Sequence, residues 1–201
     1  MRVIAAVAGC LAVLVGAGAA LAQIGDQRPL VKAALVTEST AAKRGETLTV
    51  ALRQTIAPGW HTYWQNPGDS GEPTTIEWTL PAGLSAGAIQ WPLPSAIPVG
   101  PLVNYGYSDQ LLLLSDITIP QDFAGDALKL SANVRWLVCK DICVPEEATV
   151  SLSLPLIDPA LSPRASADAG AIQAVRAALP KPVTWPMRHW ATSQYVTLRI
   201  D

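Results

Sequence analysis

Charge and methionine are scarce in this 201-residue chain, and each scarcity removes a class of function. Only 15% of the residues are Asp, Glu, Lys or Arg, and the formal net charge is −2. Such a chain offers no basic face to nucleic acid or to an anionic surface. Methionine occurs only as Met1 and Met187, which leaves no thioether cluster for a soft metal. The close cysteine pair, a C-x3-C spacing without a third ligand beside it, is thin for zinc, which wants four. Past Ala22 no apolar run reaches membrane-spanning length. Asn66–Gly71 is rich in turn formers but lacks the lysine and following helix of a phosphate-binding loop. No internal repeat is present, and no pattern calls for a metal or an organic cofactor.

What is present begins with a leader. Arg2 is the only charge before Asp26, and Val3 to Ala22 is apolar and small. The stretch closes on Ala20-Leu21-Ala22, the small-residue spacing of a cleavage site. Residues 1–22 are therefore expected to be a cleaved signal peptide rather than an anchor, with Gln23 the first mature residue. Cys10 leaves with the leader, so Cys139 and Cys143 are the only thiols of the mature chain. Export places them in an oxidising compartment, where a lone pair forms a bridge.

The mature part reads as all-β. Seventeen prolines and fourteen glycines separate short apolar runs. In Glu46–Ile56, Leu48, Val50, Leu52 and Ile56 alternate with polar residues, and Thr75–Leu80 repeats the pattern. Gln110–Ile119 is more continuously apolar, as a strand covered on both faces would be. The clearest alternation runs from Leu128 to Val138, and Ala148 to Leu154 follows it. Strands at this spacing predict an immunoglobulin-like antiparallel β-sandwich with a C-terminal helical and linker extension. Residues 23–157 are expected to be that domain. Residues 158–201 are expected to hold a linker, a helix over Ala165–Leu179 closed by Pro180, and the start of a possible second domain. The alternation in Thr192–Ile200 has nothing after it to pair with, which suggests the front part of a longer protein.

Cys139 and Cys143 sit in Arg135-Trp-Leu-Val-Cys-Lys-Asp-Ile-Cys-Val-Pro145. Continued alternation puts Cys139 on the outward face at a strand end, with Cys143 in the middle of a turn over Lys140–Glu146. Bridging a five-residue loop removes only about 2 kcal/mol of chain entropy, against nearly 5 for a long loop. Such a bond is a weak staple, and short or exposed bridges open readily, so dithiol–disulfide exchange is the leading expectation. Two other readings stay open: a structural clip on a turn, and a Cu(I) module using the same thiols. Lys140 and Arg135 favour a thiolate, whereas Asp141, Glu146 and Glu147 oppose it. Cys143 is expected to meet a partner and Cys139 to resolve. His61, amid Trp60, Tyr63 and Trp64, reads as a satisfied histidine in an aromatic cluster before it reads as a ligand or proton donor. His189 receives no role.

Three separated stretches carry a resemblance. Trp136-Leu-Val-Cys-Lys-Asp-Ile-Cys-Val-Pro-Glu-Glu147 resembles the N-terminal periplasmic domain of DsbD-type thiol:disulfide interchange proteins, nearest the ScsB-like branch linked to copper tolerance. Gly59-Trp-His-Thr-Tyr-Trp-Gln-Asn-Pro-Gly-Asp-Ser-Gly71 and Gly100-Pro-Leu-Val-Asn-Tyr-Gly-Tyr107 resemble it too, so the similarity spans about Leu30 to Leu156. The resemblance implies a periplasmic oxidoreductase domain whose catalytic pair, Cys139 and Cys143, takes electrons from a membrane-embedded donor domain. It passes them to thioredoxin-fold periplasmic proteins. It also implies a loop that shields the pair until a partner docks, matched here by Asn104, Tyr105 and Tyr107. The membrane domain and the C-terminal thioredoxin-like domain of such proteins are absent from this chain.

Overall fold

The computed structural model describes residues 28–182 and 184–200. The expected signal peptide lies outside them. In chain order the first strands are β1 (Val31–Thr37), β2 (Ala42–Lys43), β3 (Thr47–Ile56) and β4 (Thr62–Gly68). There follow β5 (Thr75–Thr79), β6 (Ser85–Ala86), β7 (Ser95–Val99), β8 (Leu102–Tyr107) and β9 (Gln110–Thr118). The long pair β10 (Ala127–Cys139) and β11 (Cys143–Ile157) precedes helix α1 (Ala169–Ala178). A last hairpin joins β12 (Met187–Ala191) to β13 (Val196–Ile200).

Two four-stranded sheets, β1-β3-β9-β6 and β2-β11-β10-β5, make the immunoglobulin-like sandwich. Their strand pairs are antiparallel except for a short parallel contact of β2 with the end of β11. The even positions of β10, Leu128, Leu130, Ala132, Val134, Trp136 and Val138, are all buried, as alternation requires. They meet Val50, Leu52, Leu111, Leu113 and Ile117 of the facing sheet in one core. The edge of that core is tied by Glu146. Its carboxylate accepts hydrogen bonds from the Leu30 and Val31 amides and from Trp136 Nε1, which binds β1 to the β10–β11 hairpin.

The continuous apolar run of β9 is explained by the helix. Leu111 and Leu113 face the sandwich core, whereas Leu112 and Leu114 face outward onto α1. There Ile172, fully buried, packs with Val36, Ala51, Leu112 and Leu114. The helix is shorter than the Ala165–Leu179 pattern and is seated by an Arg53–Asp168 ion pair. The strand expected over Thr192–Ile200 is β13, and it does find a partner, pairing backward with β12 from Met187↔Ile200 to Ala191↔Val196.

A third sheet, β4-β8-β7, lies beside the sandwich and decides how the cysteines are covered. It begins at a tight turn, Ala57-Pro58-Gly59-Trp60, in which the Trp60 amide bonds the Ala57 carbonyl and Gly59 takes φ +78°. Proline second and a positive-φ glycine third is the sequence such a turn demands. It aims the chain so that His61 pairs antiparallel with Cys139.

Candidate functional site

Strands β10 and β11 stay in register along their whole length, and Cys139↔Cys143 is the last rung of the ladder. The sequence expectation of a turn over Lys140–Glu146 is corrected: only Lys140–Ile142 turns, because the ladder continues one rung past Val138↔Val144. Cys143 is the first residue of β11, not the middle of a loop. The two sulfurs are bonded, with the Cα atoms 4.1 Å apart.

Their environments differ. Cys143 is exposed, whereas Cys139 is 2% exposed. Alternation placed Cys139 on an outward face, and the structure corrects this as well. That face is outward only with respect to the sandwich, because the segment leading into β4 covers it. The His61 amide donates to the Cys139 carbonyl and the Cys139 amide to the His61 carbonyl, both at 2.9 Å. The end of β10 is thus held on two sides, by β11 and by His61.

Behind Cys143 stands Tyr63, a member of the aromatic cluster that nothing in the sequence tied to the sulfurs. Its hydroxyl lies 3.9 Å from Cys143 Sγ and 3.3 Å from His61 Nε2. The two rings meet edge to face, with centroids 5.2 Å apart. Burial lowers the proton affinity of His61, because the imidazolium would lose its water, and raises that of the Tyr63 phenolate for the same reason. Gly71, at φ +103°, is packed so closely on the Tyr63 ring that a Cβ there would overlap it. This is why the turn after Asn66 carries glycine at that point. Deeper still, Thr62 Oγ1 donates to Gln54 Oε1 and Gln54 Nε2 to Thr74 Oγ1, all three residues being buried.

The three residues matched to a shielding loop lie in strand β8 rather than in a loop. Asn104 is buried and its Oδ1 accepts from the Ser70 amide and hydroxyl, stitching β8 to the Asn66–Gly71 turn. Tyr105 is partly exposed and stands edge-on to Trp64 at 6.5 Å. Tyr107 is buried, its hydroxyl donates to the Pro92 carbonyl, and burial pushes its ionisation far up. Of the two cations considered near the pair, Arg135 is engaged with Glu77 at 2.6 Å. Lys140, in the turn itself, stretches along Gly59. Ile142, between the cysteines, is 66% exposed and presents an apolar tip beside the reachable sulfur. His189 lies exposed in β12. Among the described residues no three His, Cys, Asp or Glu side chains converge as a metal site would need.

This arrangement suits attack at one sulfur only: a nucleophile from outside reaches Cys143, while Cys139 waits beneath. Comparison with known proteins bears on that chemistry. The family model described as thiol:disulfide interchange protein DsbD, N-terminal, matches residues 29–155. No curated protein matches the chain. Among solved structures the chain is similar to the crystal structure of the N-terminal periplasmic domain of ScsB from Proteus mirabilis, at 23% identity and a TM-score of 0.58. That likeness covers 85% of this chain and 62% of the other, and at this identity it speaks for the fold.

Proposed function

The chain belongs to the family of DsbD N-terminal thiol:disulfide interchange domains, and on that footing we propose that Cys139 and Cys143 are its redox couple. The domain's activity is thiol–disulfide exchange, an oxidoreductase chemistry. In the proposal it works in the periplasm, relaying electrons from a membrane-embedded donor domain to thioredoxin-fold proteins. Asn104, Tyr105 and Tyr107 shield the pair in this reading until a partner docks.

The observation that carries the reading is the inequality of two bonded sulfurs, one exposed and one 2% exposed. In the reduced domain the Cys143 thiolate attacks a partner disulfide. A Cys143–partner bond forms, and the partner's other sulfur leaves as thiolate. The Cys139 thiolate then attacks Cys143 Sγ, the bridge closes, and the second partner sulfur departs. Two electrons pass to the partner. Exchange in the opposite direction is the same path reversed.

A trapping experiment tests this. With Cys139→Ser, the mixed disulfide at Cys143 has no resolving sulfur and should accumulate against an oxidised thioredoxin-fold protein, to be released by dithiothreitol. Cys143→Ser should trap little. Equal trapping by both variants, or a wild-type bridge inert to reduced thioredoxin, would overturn the assignment.

A further inference from the structure

Simple exchange between two sulfurs does not require the two buried polar rings that stand behind the exposed one. Tyr63 is 1% exposed and His61 6%. Cys143 Sγ, Tyr63 Oη and His61 Nε2 nevertheless follow one another at 3.9 and 3.3 Å, a line of polar atoms leading inward from the surface.

We propose that Tyr63 and His61 form a proton relay that ionises Cys143 in the reduced domain and reprotonates it when it leaves. In the forward step the Cys143 S–H bond breaks and its proton goes to Tyr63 Oη. The Tyr63 O–H bond breaks in turn, and that proton goes to His61 Nε2. Sulfur keeps the electron pair as thiolate, Tyr63 remains a neutral phenol now donating to it, and His61 carries the charge as imidazolium. The reverse step returns the proton. Tyr63 touches the reacting sulfur and is the catalytic residue, while His61 acts through it and is a positioning residue.

The surroundings fit these roles. His61 enters the step neutral because burial disfavours a lone imidazolium, and the thiolate formed at the other end of the line offsets the charge it takes on, while Tyr63, reluctant to ionise, stays a hydroxyl able to pass hydrogen both ways. The paired His61 and Cys139 backbones keep the accepting ring in register with the disulfide. Gly71 packs on the Tyr63 ring, and Pro73 forms a β-bridge with the Tyr63 backbone. The charged groups around the line are Lys140 and Asp141 of the turn, Glu72 before Pro73, and Asp69, whose carboxylate takes the Val103 amide. All four are exposed and water-screened, so they modulate the sulfur less than a direct hydrogen bond does. From β8 come only Tyr105 and Tyr107, which point to Trp64 and to the Pro92 carbonyl.

The relay rests on the reading of the pair as a redox couple, so its test reads the sulfur without any partner. The full chain is reduced, and the rate of Cys143 alkylation by iodoacetamide is followed by peptide mass spectrometry from about pH 5 to about pH 10. Tyr63→Phe should lower the rate at neutral pH about tenfold and move the midpoint up by about one pH unit, the size of one lost hydrogen bond to a charged group. His61→Gln, which bonds but takes no proton, should shift the profile in the same direction. Thr62→Val disturbs the same strand, with its hydroxyl on Gln54 rather than on sulfur, and should leave the profile unmoved. A Tyr63→Phe profile that overlays wild type, or a Thr62→Val shift of equal size, overturns the relay. If Tyr63→Phe does not fold, the His61→Gln profile decides alone. A wild type that alkylates as stated yet exchanges with no thioredoxin-fold protein would remove the proposed function and leave the relay standing.

Discussion

Opening the Cys139–Cys143 bond should cost little stability, and the cost can be worked out from the hairpin. The bridge closes a loop of five residues, Cys139 to Cys143 inclusive. On the chain-entropy formula this loop is worth about 2 kcal/mol at 25 °C. A domain of this size is typically stable by about 5 to 15 kcal/mol, so the reduced form remains folded. The native state loses almost nothing else. Twelve further rungs, from Ala127↔Pro155 to Val138↔Val144, hold β10 against β11 without the sulfurs. The Cys139 thiol stays under His61, where a buried cysteine is a tolerable small hydrophobe. Urea unfolding, followed by tryptophan fluorescence with and without dithiothreitol, measures the difference. With a slope of about 2 kcal/mol per molar, the midpoint should fall by about 1 M, and the Cys139→Ser/Cys143→Ser double variant should match the reduced protein. A loss well beyond about 4 kcal/mol, or unfolding in plain buffer, would show that the bond is a staple and would falsify the redox reasoning.

Three further outcomes follow from packing and titration. Ile172→Ala empties the fully buried contact between α1 and β9 and should cost about 2 to 5 kcal/mol in the same urea assay; a cost near zero would mean the helix is not seated there. Gly71→Ala forces a Cβ into the Tyr63 ring at positive φ and should destabilise by at least about 1 kcal/mol while changing Cys143 alkylation; an unchanged pair of readings refutes the close packing. Because His61 is held neutral in the fold, the unfolded chain binds the extra proton. Stability should therefore drop as pH falls below about 6.5, by at most about 1.4 kcal/mol per unit, until His61 protonates in the fold too. His61→Gln should flatten that part of the curve, as read by melts across a pH series.

Local pattern carried the sandwich a long way. Alternation located β3, β5, β9, β10 and β11, and the unbroken apolar run of Gln110–Ile119 already implied a cover on its second face, which α1 supplies. The close cysteines were legible too, as was the greater reach of Cys143. The period failed at Cys139, where a two-layer picture makes odd positions outward. The segment that leads into the third sheet, itself built from residues 62–68, 95–99 and 102–107, lies on that end, and no local spacing near Cys139 announces a contact with His61. The same distance in sequence hid Tyr63: an aromatic residue between Thr62 and Trp64 reads as core filler until the fold brings its hydroxyl across 80 positions to a sulfur. Asn104 was noticed for its position in a motif, yet its observed work is to fasten the Ser70 turn.

The two jaws of the pair are unequally mounted. At its last rung β10 has neighbours on both flanks, whereas among the described residues β11 pairs there with β10 alone, since β2 reaches it only at Leu156 and Ile157. With the bond open, the His61 pairing still holds Cys139 in its place beneath Cys143. In the proposed exchange, recapture of Cys143 by a sulfur so held needs no search.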